Sequence, residues 1–256
     1  MKRGAFSLGT QTKVRSDAYV DDDATVGNNV SIGRFTEVLA GSVIGDNCVI
    51  GSRCIIGHPS KLELQRADFS ARSPRVSDLI VKEAVAKISK GAIIRSGSIL
   101  YRHVVVGERL RTGHNTLIRE HVTLGDRCVV GTNAILDGYS SVGSNSMIQS
   151  NCYITQSTRI GYGVFISPGC AVFDNKRIIL GEGLERTMIS DYVRIGGGTK
   201  ILPGITIGKF ALVGAGSVVT KDVPSKAIAY GVPAEIKGFQ KDEEIQKYTK
   251  SVSNWQ

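Results

Sequence analysis

One regularity constrains this chain more than any other: an aliphatic residue recurs at every sixth position. A first run extends from Leu8 to Ile56, a second from Ile88 to Val172 and a third from Ile189 to Val219. Every position of these runs is Ile, Leu or Val except Thr112. A period of six fits neither an amphipathic helix nor an ordinary alternating strand.

The period is typical of a hexapeptide β-helix, in which each repeat supplies a short strand and a corner. Three hexads close one triangular coil, so residues 18 positions apart become stacked neighbours. We therefore predict an all-β fold, a parallel β-helix of about ten triangular coils with the aliphatic residues inside. Glycine follows the aliphatic position in half of the repeats, as at Gly27 and Gly33. We expect these glycines to supply the positive φ of the corners.

The rhythm is interrupted twice and then stops. The segments 58–87 and 173–188 are loop excursions, and the first shifts the register by two. We expect the β-helix to occupy residues 1–222 and a C-terminal tail to occupy 223–256. Within that tail, about 238–250 reads as a short polar helix covering the open end of the last coil.

Small residues and asparagines follow the same period. All five cysteines precede an aliphatic position by two, which places them in a second, small inward slot as buried hydrophobes. Asn115, Asn133 and Asn151 are 18 apart and are expected at one corner of successive coils, where Asn tolerates left-handed backbone.

The composition constrains the expected compartment of the protein and the kind of partner that it binds. No apolar run approaches the roughly 20 residues that span a bilayer, and no hydrophobic segment follows the N-terminal Lys2-Arg3. We therefore expect a cytoplasmic protein with reduced cysteines and no membrane span. The formal net charge of +9 indicates anionic partners, either nucleic acid or small phosphorylated ligands.

The C-terminal motifs carry a family resemblance. Ile201-Leu202-Pro203-Gly204, the stretch from Gly214 to Pro224 and Gly231-Val232-Pro233-Ala234, together with the hexads, resemble the bacterial and archaeal hexapeptide acyltransferases. That resemblance implies a left-handed β-helix and a homotrimer with sites between subunits. It also implies an acyl donor, which is coenzyme A or, in some members, acyl carrier protein.

A narrower resemblance points to the acceptor. Tyr101-Arg102-His103, the stretch 111–120 and Phe173-Asp174-Asn175-Lys176 resemble N-acetyltransferases of nucleotide-linked 3-amino-3,6-dideoxyhexoses. The loop differs from the Thr-Asn-Asp-Lys common there at 173–175. The resemblance implies acetyl-CoA as co-substrate and a nucleotide-sugar as acceptor.

Three of the four histidines lie close together in the sequence and are the candidates for proton transfer. His103 and His121 are 18 apart and are expected to stack, whereas His114 lies at the preceding corner, two residues after Thr112. We assign His114 and His103 as catalytic. Glu120 is a third catalytic candidate that either orients a histidine or pairs with Arg102.

The remaining assignments concern binding. Four residues are assigned to the acceptor: His121, Asn133, Asn175 and Lys176. Lys200 and Lys221, with Lys209 as a further candidate, are placed against the phosphates of acetyl-CoA. Backbone groups of four residues are placed against its pantetheine arm: Gly196, Gly197, Gly214 and Ala215. No metal is expected.

The sequence leaves several alternative functions to be considered. An O-acyltransferase of the same fold would act on a sugar or other small hydroxyl compound, and a lipid-A-type enzyme would use acyl carrier protein. A hydratase like the γ carbonic anhydrases needs three converging histidines. The spacing of His103, His114 and His121 lacks that family's close pair. A scaffold or nucleic-acid binder is compatible with the charge, but basic and aromatic residues are not interleaved.

Overall fold

The computed structural model describes residues 7–66, 85–179 and 182–254, and within them the hexads wind into a three-faced solenoid. Face 1 consists of Ser7–Leu8, Thr25–Val26, Val43–Ile44, Lys87–Ile88, Val105–Val106, Thr123–Leu124, Ser141–Val142, Arg159–Ile160, Met188–Ile189 and Thr206–Ile207. Face 2 consists of Lys13–Val14, Ser31–Ile32, Val49–Ile50, Ile93–Ile94, Arg111–Thr112, Val129–Val130, Met147–Ile148, Phe165–Ile166, Arg194–Ile195, Leu212–Val213, Ala227–Tyr230 and Glu235–Phe239. Face 3 consists of Tyr19–Val20, Glu37–Val38, Ile55–His58, Ile99–Tyr101, Leu117–Ile118, Ile135–Leu136, Tyr153–Ile154, Ala171–Val172, Lys200–Ile201 and Val218–Val219.

Strands on each face pair in parallel with the strand one coil away. Ser7 pairs with Thr25, and Leu117 pairs with Ile135, both 18 residues apart. The first excursion leaves this stacking intact, because Val43 pairs directly with Lys87. The predicted fold class, a left-handed parallel β-helix with loop excursions and a short C-terminal helix, is confirmed.

The second residue of each strand points inward and forms a thin core along the axis. Ile32, Ile94 and Leu136 are fully buried, as the six-residue period predicts. All five cysteines are free and buried in the small inward slot, which confirms their predicted placement. Burial raises the pKa of Cys128 to about 11, so the thiolate, which is the nucleophilic form, is disfavoured there.

The three edges between the faces are built from tight turns whose third residue is left-handed. Asn115, Asn133 and Asn151 adopt φ of 53°, 56° and 59° on the edge between faces 2 and 3, as predicted. Asn133 Nδ2 donates to Asn151 Oδ1 at 3.3 Å, so the asparagines also bond between coils.

The glycines that follow the aliphatic positions were expected to supply the positive φ of the corners, and this expectation is wrong. Apart from Gly57, these glycines do not have positive φ; the left-handed residue lies two positions further on. They are needed because the coils approach closely: a Cβ on Gly33 would lie 2.6 Å from the backbone carbon of Gly51.

The two excursions leave the same edge, between faces 3 and 1. The first begins with helix α1, Lys61–Arg66, and its residues 67–84 lie outside the described part of the chain. The second contains an antiparallel bridge between Asn175 and Leu184 before the strand resumes at Met188.

Helix α2, Asp242–Ser253, lies elsewhere than the sequence suggests. It packs along face 2, where the Tyr248 hydroxyl donates to the carbonyl of Gly163 at 2.8 Å and Arg194 lies over the Tyr248 ring. At the end of face 2, the strand Glu235–Phe239 turns back antiparallel to Ala227–Tyr230. No helix in the described ranges is both long enough and apolar enough to cross a membrane.

Candidate functional site

A row of three rings runs along the edge between faces 3 and 1. His103 and His121 stack with centroids 4.4 Å apart and planes 3° from parallel, as their spacing predicts. Tyr139 stacks on His121 in turn, with centroids 4.6 Å apart. All three occupy the left-handed corner position, with φ of 61°, 59° and 62°. Their regular backbone therefore sets the alignment of the rings.

Helix α1 brings a carboxylate to this row. Ser60 and Glu63 form a reciprocal cap at its start, with the Ser60 N–H donating to Glu63 Oε2 at 2.6 Å. Glu63 Oε1 then lies 3.6 Å from Arg102 Nη1 and 3.8 Å from His103 Nε2. Burial acts to raise the pKa of Glu63, but the hydrogen bonds from Ser60 and the charges of Arg102 and His103 lower it overall.

Glu120 pairs with neither of the partners expected from the sequence, which were a histidine and Arg102. Its carboxylate receives two hydrogen bonds from Arg119, at 2.8 and 3.1 Å, whereas Arg102 turns to Glu63. Arg119 also bonds Asp137 at 3.0 Å, and Asp137 accepts from the Tyr153 hydroxyl at 2.9 Å. The expected pairing of Glu120 with Arg102 is therefore wrong, because the adjacent Arg119 reaches the carboxylate bidentately.

His114 lies on another edge, between faces 2 and 3, with an exposed side chain. Its N–H donates to Thr132 Oγ1 at 3.2 Å, and its carbonyl accepts from the N–H of Asn133 at 2.9 Å. Beneath it, Thr112 is buried and its hydroxyl accepts from the N–H of Arg95 at 2.9 Å. The single hexad without an aliphatic residue therefore has a polar interior directly before His114.

The second excursion closes a groove of about 1010 Å³ on the edge between faces 3 and 1. Asn175, Lys176 and Lys221 all line it, beside apolar side chains such as Phe173 and Leu202. The Asn175 amide is occupied within its own loop, since Oδ1 accepts from the N–H of Ile178 at 2.7 Å. Lys176 Nζ lies 3.5 Å from Glu185, in an exposed pair of small energetic weight.

The residues assigned to acetyl-CoA lie in three different places. Four of them follow the edge between faces 2 and 3, the same edge as His114: Gly196, Gly197, Gly214 and Ala215. Lys200 belongs to this group, because its Nζ donates to the carbonyl of Gly169 on that edge at 3.4 Å. Lys221 lies across face 3, in the groove. Lys209 is on the third edge, 3.5 Å from Asp191.

Within one chain, the structure brings together some candidates and separates others. His103, His121 and Glu63 share one edge with the groove, while His114 and Asn133 share the next, with face 3 between them. The sequence reasoning missed Tyr139 and Glu63. Tyr139 lies 18 residues after His121, so the same stacking rule identifies it. Ser60 and Glu63 carry a capping-box pattern, but nothing in the sequence places α1 beside His103.

Two family models match the repeats. The model described as "Bacterial transferase hexapeptide (six repeats)" matches residues 23–58. The model described as "Hexapeptide repeat of succinyl-transferase" matches 104–138, 121–156 and 187–221. The chain therefore contains hexapeptide repeats of the kind that these models describe. The matched segments lie on both sides of the two excursions. They include His114 and His121, and His103 lies one residue before the segment that begins at 104.

Among curated proteins, the chain is similar to two sugar acetyltransferases. It is 50% identical over 58 residues, 23% of this chain and 30% of the relative, to dTDP-3-amino-3,6-dideoxy-alpha-D-galactopyranose 3-N-acetyltransferase of Aneurinibacillus thermoaerophilus. It is 39% identical over 64 residues, 25% of this chain and 31% of the relative, to galactoside O-acetyltransferase of Lactococcus lactis subsp. lactis. The similarity thus spans under a third of each relative's length.

Among solved structures, one match is the hexapeptide-repeat acetyltransferase VCA0836 of Vibrio cholerae O1 biovar eltor, complexed with acetyl coenzyme A. It is 28% identical and covers 44% of this chain and 71% of that chain, with a TM-score of 0.38. The similarity of the chain to hexapeptide-repeat proteins rests on the matched repeats and not on this superposition.

Proposed function

We propose that this protein is an acetyl-CoA-dependent N-acetyltransferase that acts on the amino group of a nucleotide-linked sugar. The observation that carries the proposal is the 50% identity over 58 residues to an N-acetyltransferase of a dTDP-linked amino sugar. The basic net charge of +9 supports it, since both proposed substrates are polyanions.

The proposed reaction is direct attack of the amine nitrogen on the thioester carbonyl carbon. A nitrogen–carbon bond forms, the carbonyl oxygen becomes an oxyanion, and the carbon–sulfur bond then breaks to release coenzyme A as thiolate. The amine loses one proton after attack, and the proposed acceptor of that proton is His114, which can return it to the thiolate. Backbone N–H groups at the coil corners are the proposed donors to the oxyanion.

His114 suits the role of base because its imidazole is exposed at a corner and its main chain is fixed by Thr132 and Asn133. The glycine-rich coils that follow on the same edge are the proposed site of the pantetheine arm, with Lys200 at their side. His103 and Glu120 are retained as proposed catalytic groups on the opposite side of face 3, and His121, Asn133, Asn175 and Lys176 as proposed acceptor contacts.

We further propose a homotrimer in which the two edges of neighbouring subunits complete one site. Face 3, which separates His114 from His103 within a chain, presents four half-buried or partly exposed side chains between them: Ile99, Leu117, Ile135 and Tyr153. An apolar stripe across successive coils is suited to contact with another copy. Such a contact places the His114 edge of one subunit beside the His103 edge of the next.

The similarity to galactoside O-acetyltransferase favours a second candidate, transfer to a hydroxyl group. An acceptor screen separates the two. Purified protein with acetyl-CoA is offered nucleotide-linked amino sugars, the matching hydroxyl sugars and galactosides, and thiol release is recorded. N-transfer predicts release with amino sugars alone; release with galactosides alone supports the second candidate and contradicts the first.

A further inference from the structure

The row of rings at His103, His121 and Tyr139 has a free end. Tyr139 is the last ring: one face covers His121, and its side chain is 51% exposed. The next residue along this edge, 18 positions on, is Ser157, which has the same left-handed backbone with φ of 59°. Its main-chain N–H donates to the carbonyl of Gly138 at 2.9 Å, so the two corners are adjacent.

The coil of Ser157 therefore continues the row without a ring. Successive coils are about 4.8 Å apart, which is room for one planar ring but not for two. Beyond Ser157 lies a cavity of about 190 Å³, lined by Gln156, Ser157, Asp174, Leu184, Glu185 and Arg186. Along this edge a flat aromatic surface thus leads into a small cavity, where Arg186 is the one cation among the lining residues and Asp174 and Glu185 are carboxylates. The groove of the second excursion follows.

We propose that the outward face of Tyr139 is the shelf on which the nucleobase of the nucleotide-linked acceptor stacks, filling the ring position left empty at Ser157. This inference rests on the proposed function and assigns the part of the acceptor that no other residue accounts for. A nucleobase has the required planar π-surface, and stacking on an aromatic side chain tolerates any base. His103 and His121 support the shelf from behind.

Arg186 is the proposed contact for the diphosphate, although the carboxylates of Asp174 and Glu185 line the same cavity. Arg186 is exposed on the cavity rim, and guanidinium groups bind phosphate oxygens bidentately.

Another exposed ring provides a matched control. Phe35 also has a left-handed backbone, with φ of 55°, and is also 51% exposed, but it lies on the edge between faces 2 and 3. Two arginines approach its ring, with Arg34 Cζ at 5.2 Å and Arg53 Cζ at 6.0 Å from the centroid. A substitution of Phe35 therefore tests the effect of losing an exposed ring that neither continues a row of rings nor lies beside the cavity.

The test measures binding of dTDP, UDP and GDP by calorimetry without acetyl-CoA, with ribose 5-phosphate as the base-free probe. We expect Tyr139→Ala to weaken nucleotide binding about tenfold, Tyr139→Phe to preserve it and Phe35→Ala to leave it unchanged. Ser157→Phe places a fourth ring in the row and should abolish nucleotide binding. Phenylalanine already occupies this backbone conformation at Phe35 and Phe210, so the variant is expected to fold.

Fluorescence gives an independent readout. Tyr139→Trp combined with Trp255→Phe leaves one tryptophan on the shelf, because Trp255 is the chain's only tryptophan. We expect nucleotides to quench its emission and ribose 5-phosphate not to.

The outcomes separate this inference from the proposed function. Nucleotide binding that depends on Tyr139, without any acetyl transfer, supports the shelf and contradicts the proposed function. Acetyl transfer to a nucleotide-sugar with binding unaffected by Tyr139→Ala and Ser157→Phe overturns the shelf alone. If the wild-type protein binds none of the three nucleotides, the shelf is also overturned.

Discussion

The imidazole rings of His103 and His121 lie face to face, with centroids 4.4 Å apart and planes 3° from parallel. Burial lowers the pKa of His121, and the neighbouring His103 lowers it further, against opposing contributions from Glu120 and Glu63. The folded protein therefore binds a proton at His121 less readily than the unfolded chain does.

This stack predicts a pH dependence of stability. The contribution of His121 to the free energy of unfolding is complete above the ordinary histidine pKa of about 6.5, and it is lost as the pH falls below that value. We expect His121→Asn, which keeps a residue suited to left-handed backbone, to flatten that part of the profile. Melting temperatures of both proteins between about pH 5 and 8 are the measurement; parallel profiles would contradict the account.

A pair of glycine substitutions tests the revised explanation of the corners. Gly33→Ala places a Cβ against the backbone of the next coil and should cost about 1–3 kcal/mol of unfolding free energy. Gly198 has φ of +72° with nothing within 4 Å of its Cβ position, so Gly198→Asn should change stability by under about 0.5 kcal/mol. Denaturant melts of the two variants give the comparison, and the reverse order would refute it.

Much of this architecture was predictable, because a hexad period fixes both which residue points inward and which residues stack. The same rule placed the asparagines and the His103–His121 pair. It could not place α1 or α2, since helices outside the repeat obey no period. The rule also gave the wrong reason for the glycines that follow the aliphatic positions. The sequence shows that a side chain is excluded there, but it does not show whether a positive φ or the neighbouring coil excludes it. The repeat of one chain likewise does not determine which edges of the solenoid meet in neighbouring subunits.

Face 3 provides a prediction about assembly. Leu117→Glu introduces a carboxylate into the proposed apolar contact, where an uncompensated charge costs about 3–5 kcal/mol. We expect a shift from trimer to monomer in light scattering, with loss of transfer activity. Val105→Glu, on face 1 at a position 45% exposed, is the control and should remain trimeric. A wild-type monomer with full activity would contradict the proposed assembly.

The proposed donor site predicts an effect on apparent affinity. Lys221→Glu should raise the KM for acetyl-CoA about tenfold, as expected for loss of a charge-assisted hydrogen bond of about 1.5 kcal/mol. Lys90→Glu is the matched control, because Lys90 lies on the edge between faces 1 and 2, away from the groove, and its Nζ is 3.2 Å from Glu108. Steady-state kinetics with varied acetyl-CoA decide the matter, and an equal response of both variants would remove Lys221 from the site.

His114 predicts a difference between acceptors. An amine is nucleophilic before it loses a proton, whereas a hydroxyl group needs a base from the start. His114→Ala should therefore reduce transfer to a hydroxyl acceptor by about 10²–10⁴ and transfer to an amine far less. Turnover at saturating substrates gives the ratio. Undiminished turnover with both acceptors would exclude His114 from proton transfer.

The most direct measurement is the structure of the product. The protein is incubated with acetyl-CoA and a dTDP-linked 3-amino-3,6-dideoxyhexose, and the product is analysed by mass spectrometry and NMR. We expect one acetyl group, attached through an amide at the sugar nitrogen, with one equivalent of free coenzyme A. An ester at a hydroxyl group, or no transfer to any nucleotide-linked amino sugar, would contradict the proposed function.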